Sequence, residues 1–95
     1  MYSCKKFKAE MIVFNGHHTS IRKGFNAYCN CGSIKTPVRF INVQENENDK
    51  GTARSGDKKN VEIEFTNHQY FIAPDTPIFL REGRLRAYAR IIDAL

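Results

Sequence analysis

The clearest pattern in the chain is an alternation of apolar and polar residues over positions 84–91, near its C-terminal end. In an extended strand, this period of two separates an apolar face from a cationic and aromatic face. The apolar face consists of Leu85, Ala87, Ala89 and Ile91, and the opposite face of Arg84, Arg86, Tyr88 and Arg90. The preceding Glu82-Gly83 predicts a β-hairpin with a two-residue turn, because Gly83 can take the positive φ that such turns require. Such a strand suits a phosphate-rich partner, but arginine is also common on ordinary solvated faces, so both interpretations stay open.

The remaining pattern predicts further strands and no helix. Residues 5–15 alternate, and apolar residues at 12 and 14 predict that the later half of this strand is covered on both sides. Residues 25–31, 33–44 and 61–65 are also extended runs, and Pro37 must lie at an edge, a bulge or a strand start because it cannot donate to a ladder. The residues predicted to be buried are Phe7, Val13, Val61, Ile63, Leu80 and Ile91. About six strands without a helical period favour an all-β barrel or sandwich.

One stretch, residues 42–60, is strongly polar and predicts a loop that closes at a turn over residues 55–57. Within it, positions 46–54 lack large apolar residues, so little burial would offset the entropy of ordering them. We therefore predict that residues 46–54 are mobile. At the other end of the chain, Lys5, Lys6 and Lys8 could form an RNA-binding tail or a solubilising linker.

Length and charge narrow the class of protein. Ninety-five residues suit one domain, residues 1–95, and the formal net charge is +5. Residues 1–45 carry seven Lys or Arg against two acids, residues 79–92 carry four Arg against one Glu, and residues 46–78 carry four Lys or Arg against six acids. Folding that brings the two basic ends together would form a patch suited to an acidic partner, most often nucleic acid.

Several functions find no support in the sequence. The longest apolar run is about four residues, far below the roughly 18 of a membrane span, and the N-terminus lacks the apolar core of a signal peptide. Three cysteines suggest free thiols in a reducing, cytosolic setting. Cys29-x-Cys31 lacks the spacing of structural zinc sites and fits small core residues better, so no metal site is predicted. No catalytic residues are predicted, because nothing marks an oxyanion hole or an orienting third residue beside a Cys–His pair.

Five short segments follow one another in an order and spacing similar to those of a known family. They are Phe7-x-Ala9-x-Met11-Ile12-Val13, His18-Thr19-Ser20-Ile21, Gly24-Phe25, Ser55-Gly56-Asp57 and Arg81-Glu82-Gly83-Arg84. Together they resemble the third, C-terminal β-barrel domain of elongation-factor-Tu-like translational GTPases, over residues 7–92. Residues 31–35 and 79–84 are most similar to the branch called GTP-binding protein 1, and residues 24–27 are also similar to the termination-factor and rescue-factor branches.

The resemblance implies a closed six-stranded antiparallel barrel that forms the C-terminal part of a larger GTP-binding protein. In the family, the barrel lies beside a second barrel and a GTPase domain and helps to grip the T-stem of tRNA. The resemblance places the hairpin turn, the loop after the first strand and the next strand near that stem. With the arginine face included, the candidate RNA-binding residues are Glu82, Gly83, Arg84, Arg86, Tyr88, Arg90, His17, His18, Thr19 and Tyr28.

The sequence contains no Gly-x-x-x-x-Gly-Lys-Ser/Thr loop, so we expect no nucleotide site and no enzyme activity in these residues. By resemblance, GTP and magnesium are expected in the GTPase domain of the parent protein, and no cofactor is expected here. The first hypothesis is a cytoplasmic, non-catalytic module that binds tRNA or other structured RNA, contacts its own GTPase domain and second barrel, and works at the ribosome. The alternative is a protein-interaction barrel that makes interdomain contacts without binding RNA. A stand-alone enzyme finds no supporting residues.

Overall fold

In a computed structural model, residues 2–15, 20–45 and 50–95 are described, and every regular element within them is a β-strand. The strands are β1 (Tyr2–Cys4), β2 (Lys6–Val13), β3 (Ser20–Ile21), β4 (Asn26–Cys31), β5 (Ile34–Val43), β6 (Ala53–Arg54), β7 (Lys58–Phe65), β8 (Tyr70–Ile72), β9 (Pro77–Glu82) and β10 (Arg84–Ala94). Over these ranges no helix is long and apolar enough to cross a membrane. The prediction of an all-β fold is confirmed.

Six strands close into a barrel in the order β10–β2–β7–β5–β4–β9, and each neighbouring pair is antiparallel. Closure satisfies the backbone groups that an open sheet would leave at its two edges. The barrel brings together strands far apart in sequence, above all β4 and β9, and so sets which side chains share an outer surface.

The core follows the period of two. In β2, every second residue from Phe7 to Val13 is buried, and the Phe7 and Phe65 rings pack inside the barrel with centroids 5.1 Å apart. Fully burying one such side chain contributes roughly 1.5–3 kcal/mol to stability. All six residues predicted to be buried are buried: Phe7, Val13, Val61, Ile63, Leu80 and Ile91.

Two further sheets of two strands each, which the sequence pattern did not predict, accompany the six-stranded barrel. β3 pairs with β6, so that Ile21 and Ala53 lie fully buried opposite each other. This corrects the interpretation of residues 42–60 as one polar loop: β5 continues to Val43, and Gly51 is buried like Ala53. The predicted mobility of residues 46–54 falls partly on 46–49, which lie outside the described residues. For residues 50–54, the premise of little burial is wrong, because Gly51 and Ala53 are both buried.

The first residues of the chain also differ from the prediction. β1 pairs with β8 through Ser3 opposite Phe71, and Lys6 and Lys8 lie in barrel strand β2 rather than in a tail or linker. The later half of β2 is not covered on both sides, because Ile12 and Phe14 are about two-fifths exposed on the outer surface. Their pattern was ambiguous, since outward apolar residues next to a buried row give the same run of letters as a strand buried on both faces.

Pro37 lies within β5 at a position that is paired on one side of the strand only. It is opposite Tyr28 of β4, whereas the pairing of β5 with β7 begins only at the next residue, Val38. The predicted edge position is therefore confirmed for one side of the strand, where the missing N–H breaks no ladder bond.

Candidate nucleic-acid interface

The β9–β10 hairpin reverses more tightly than the sequence predicted. Glu82 is paired with Arg84, which leaves Gly83 alone at the tip with φ of 74°. The positive φ is as predicted, but the two-residue turn is not. Arg86 makes two hydrogen bonds to Glu82 next to the tip. Its Nε donates to the Glu82 carbonyl oxygen at 3.1 Å, and its Nη2 donates to Glu82 Oε1 at 2.9 Å.

A bulge in β10 interrupts the predicted arginine face. The pairing with β9 shifts between Leu85 and Ala87, so that Arg86 is the extra residue. Leu85 and Arg86 are consequently both half-buried, and Leu85 does not share the fully buried inner row with Ala87. A second shift follows between Ile91 and Asp93 in the pairing with β2. The predicted arginine face required β10 to be a regular strand, and that prediction is wrong near both ends of β10.

The cations of β10 already have partners within the protein. Arg86 pairs with Glu82, and Arg90 lies between Glu10 at 3.7 Å and Asp75 at 3.8 Å. Arg84 also has an interaction of its own. Because these carboxylates offset the charge, the arginines of β10 alone do not make a strongly cationic surface.

A surface whose cations form no ion pair with the described residues lies instead on β4, the start of β5, and β9. We call it the cationic-aromatic face, and it consists of Tyr28, Asn30, Lys35, Phe79 and Arg81. The barrel places Tyr28 opposite Arg81, and Asn30 opposite both Lys35 and Phe79. Tyr28 is 61% exposed and Phe79 is 41% exposed. Neither Lys35 nor Arg81 forms an ion pair with any residue of the described ranges.

Two shallow grooves adjoin Tyr28 and Arg81, and both reach the hairpin tip at Gly83. One has a volume of about 380 Å³ and the other about 560 Å³. Among the described residues lining them, Glu82 is the single acid, and its carboxylate is engaged by Arg86. The grooves therefore combine an exposed ring, amide side chains and cations that form no ion pair within the described ranges, which is the chemistry of RNA-binding surfaces.

The structure brings together some of the predicted site residues and separates others. Tyr28 lies beside the hairpin tip, since its cross-strand partner Arg81 is adjacent to Glu82. Tyr88 is half-buried against Phe79, with ring centroids 5.6 Å apart, while Arg90 lies towards the acidic residues of β2 and the turn before β9. The remaining predicted residues, His17, His18 and Thr19, lie outside the described residues.

Sequence reasoning missed Asn30, Lys35, Phe79 and Arg81 as site residues. Each is an outward position of a predicted strand, so the period of two contained a signal for its exposure. What the sequence did not contain was the pairing of β4 with β9, which joins residues about 50 positions apart. Only that pairing turns separate exposed residues into one surface.

The three cysteines are buried and free, which confirms that Cys29 and Cys31 are small core residues. Burial, and secondarily the neighbouring Cys31 thiol, raises the pKa of Cys29 to about 12. Burial also raises the pKa of Cys4 and of Cys31. Protonated, buried thiols are poor nucleophiles and poor metal ligands. In the parts of the chain that the structure describes, no group of three or more His, Cys, Asp or Glu could hold a metal ion.

No protein-family model matches the chain. Among solved structures, the chain is similar to Sup35 in the crystal structure of its complex with GDP, with a TM-score of 0.81 and 15% sequence identity. The match covers 99% of this chain but 26% of the Sup35 chain, so the fold corresponds to about a quarter of that protein. At this identity the likeness establishes the fold alone. Together with the closed barrel, it confirms the predicted architecture, which is like that of the C-terminal domain of elongation factor Tu.

Proposed function

We propose that this barrel is a non-catalytic RNA-binding module of a cytoplasmic, translational-type GTPase, and that it contacts tRNA or a similarly structured RNA at the ribosome. The observation that carries the proposal is the cationic-aromatic face, where Lys35 and Arg81 have no acidic partner among the described residues and flank exposed Tyr28. Cations that are not paired internally can neutralise phosphates without first breaking a salt bridge. The Gly83 tip beside them exposes backbone that can approach a phosphate closely.

The parent protein is part of the same proposal. Sup35, whose structure contains this fold, binds GDP, and the resemblance of residues 7–92 to translational GTPases agrees with that. We infer that GTP and magnesium bind to a separate GTPase domain, against which this barrel and a second barrel pack. Reading the coding sequence upstream of Met1 tests this directly. A Gly-x-x-x-x-Gly-Lys-Ser/Thr loop is expected there, and a gene that encodes no such loop would contradict it.

The RNA-binding part is tested by titrating tRNA into the 95-residue protein at two salt concentrations. We expect micromolar or weaker binding, with a log–log salt slope of roughly −0.7 to −0.9 per phosphate neutralised. A Lys35→Ala/Arg81→Ala variant should bind at least about tenfold more weakly, because charge-assisted contacts contribute roughly 1.5–3 kcal/mol each. Its log–log salt slope should also be shallower, by the contribution of about two neutralised phosphates.

The matched control is Lys6→Ala/Lys8→Ala, which removes the same formal charge from exposed positions of β2. It should bind nearly as well as the wild type. Equal losses in both variants would mean that only net charge matters, and would contradict a site on the cationic-aromatic face.

A second candidate function, contact with a sister domain, is favoured by the outer surface of β2. Ile12 and Phe14 are about two-fifths exposed, and Ile12 lies opposite Tyr88 in the barrel. Apolar residues grouped on an outer surface often mark a protein contact. In the complete parent protein, hydrogen exchange at β2 should be slower than in the isolated barrel if this surface is covered. Equal exchange in both proteins would exclude the contact.

A further inference from the structure

The cationic-aromatic face holds two exposed rings whose spacing bears on the kind of RNA it accepts. Tyr28 lies opposite Arg81, and Phe79 is two residues from Arg81 on the same strand, so the two rings are diagonal neighbours on adjacent strands. Such diagonal positions are about 7–8 Å apart. Phe79 is held in place by the edge-to-face contact with Tyr88, whose centroid is 5.6 Å away.

Two rings at this spacing are suited to bases and not to a duplex. Stacked bases in a helix are about 3.4 Å apart along each strand. Consecutive bases can therefore reach rings that project from positions about 7–8 Å apart only when the bases are unstacked from each other. A duplex hides the faces of its bases and offers phosphates, to which exposed aromatic rings contribute nothing.

The polar residues around the rings agree with an unpaired strand. Lys35 and Arg81 lie on either side of the Tyr28–Asn30 segment and can neutralise phosphates, while the Asn30 amide can donate to and accept from a base edge. This arrangement resembles in kind the sheet surfaces that bind single strands by stacking bases on aromatic side chains between cations.

We propose that the cationic-aromatic face binds unpaired nucleotides of RNA, with one base stacked on Tyr28 and a neighbouring base stacked on Phe79. The proposal rests on the proposed RNA-binding function and specifies which part of an RNA molecule this surface takes. It applies to the single-stranded loops, bulges or ends of a structured RNA and not to its stems.

The test compares a labelled single-stranded RNA octamer with a blunt RNA duplex of matched length, by fluorescence anisotropy at constant salt. The single strand should bind more tightly than the duplex. Tyr28→Ala should weaken binding of the single strand roughly tenfold, and Tyr28→Phe, which keeps the ring, should change it less than about twofold. Both substitutions should leave duplex binding unchanged. Because Tyr28 is largely exposed, both variants should fold, which a thermal melt verifies.

A Tyr28→Trp variant provides a second readout, since the chain contains no tryptophan. Stacking of a base on the indole should quench its fluorescence with the single strand and not with the duplex. If the duplex binds as tightly as the single strand, or Tyr28→Ala binds the single strand like the wild type, the stacking proposal is wrong. In that case RNA binding that still depends on Lys35 and Arg81 would leave the proposed function intact. If neither RNA binds, both proposals fail.

Discussion

Two regions of the barrel's outer surface differ in whether their cations face acidic residues. On β2 and β7, cations and acids alternate across the strands, with Lys6 opposite Glu64 and Lys8 opposite Glu62. We call this the charge-balanced face, and Glu10 completes it by pairing with Lys58 at 3.5 Å and with Arg90 at 3.7 Å. On the cationic-aromatic face, Lys35 and Arg81 have no such neighbour among the described residues and surround an exposed tyrosine.

The difference shows why net charge alone does not locate a site. Both faces hold cations, and a count of Lys and Arg along the chain does not separate the two faces. Cross-strand acids offset one set and leave the other available. The surface that can bind a polyanion is defined by where the acids are absent, which depends on strand order.

The strands beneath the two faces also differ, because β4 carries buried thiols. This difference should make the stability of the protein depend on pH in the alkaline range. Cys29 and Cys31 line β4 under the cationic-aromatic face, and burial raises the pKa of Cys29 from the ordinary thiol value of 9.0 to about 12. Between these values the unfolded thiol has lost its proton and the folded one has kept it, so stability should fall as pH rises. The expected slope from Cys29 is about 1.4 kcal/mol per pH unit.

Chemical denaturation at pH 8, 9, 10 and 11 measures this slope, and Cys29→Ala is the control. The variant should start from a lower stability because it leaves a small cavity, but its decline with pH should be shallower. Parallel declines in both proteins would show that Cys29 is not responsible, and hence that the strands beneath the two faces do not differ in this way.

The ion pair at the hairpin tip, beside the cationic-aromatic face, should contribute more to stability than those of the charge-balanced face, but this difference should be smaller than the effect of Cys29. Glu82 bonds at 2.9 Å to Arg86, whose side chain is only 19% exposed, whereas Glu10 makes longer contacts to two well-exposed cations. Glu82→Gln should therefore cost about 0.5–1 kcal/mol of unfolding free energy, and Glu10→Gln less than about 0.5 kcal/mol. Urea melts at low salt measure both. At 1 M salt the two costs should shrink, and a larger cost for Glu10→Gln than for Glu82→Gln would contradict the expected order.

Much of the fold could be predicted, because local periodicity reports directly on burial. The alternation at residues 61–65 and in β2 identified core positions such as Phe7 and Ile63, and Gly83 identified the hairpin tip. Short strands such as β3 and β6, two residues each, are below the length at which a pattern can be recognised. The burial of Ala53 and Lys59 could not be predicted from the sequence pattern either. The first is a small residue in a polar stretch, and the second is a buried lysine whose Nζ donates to the Gln44 carbonyl oxygen at 3.1 Å.

The site was less predictable than the fold. The arginine alternation of β10 is real in the sequence, but a bulge at Arg86 and the carboxylates around Arg90 change what those side chains can do. Neither a bulge nor a long-range ion pair has a local signal. Tyr28, in contrast, was a candidate through family resemblance. The structure places it next to cations that have no acidic partner in the described part of the chain, and the sequence did not connect them with it.

The most direct test is a ¹H–¹⁵N spectrum of the protein during titration with RNA. Amide shifts should change most in β4 and β9 around Tyr28, Phe79 and Arg81, while the amides of β7 and of residues 6–10 in β2 should stay nearly constant. Such a result would place RNA on the cationic-aromatic face. Changes centred on the charge-balanced face, or spread evenly over all exposed lysines and arginines, would contradict the account.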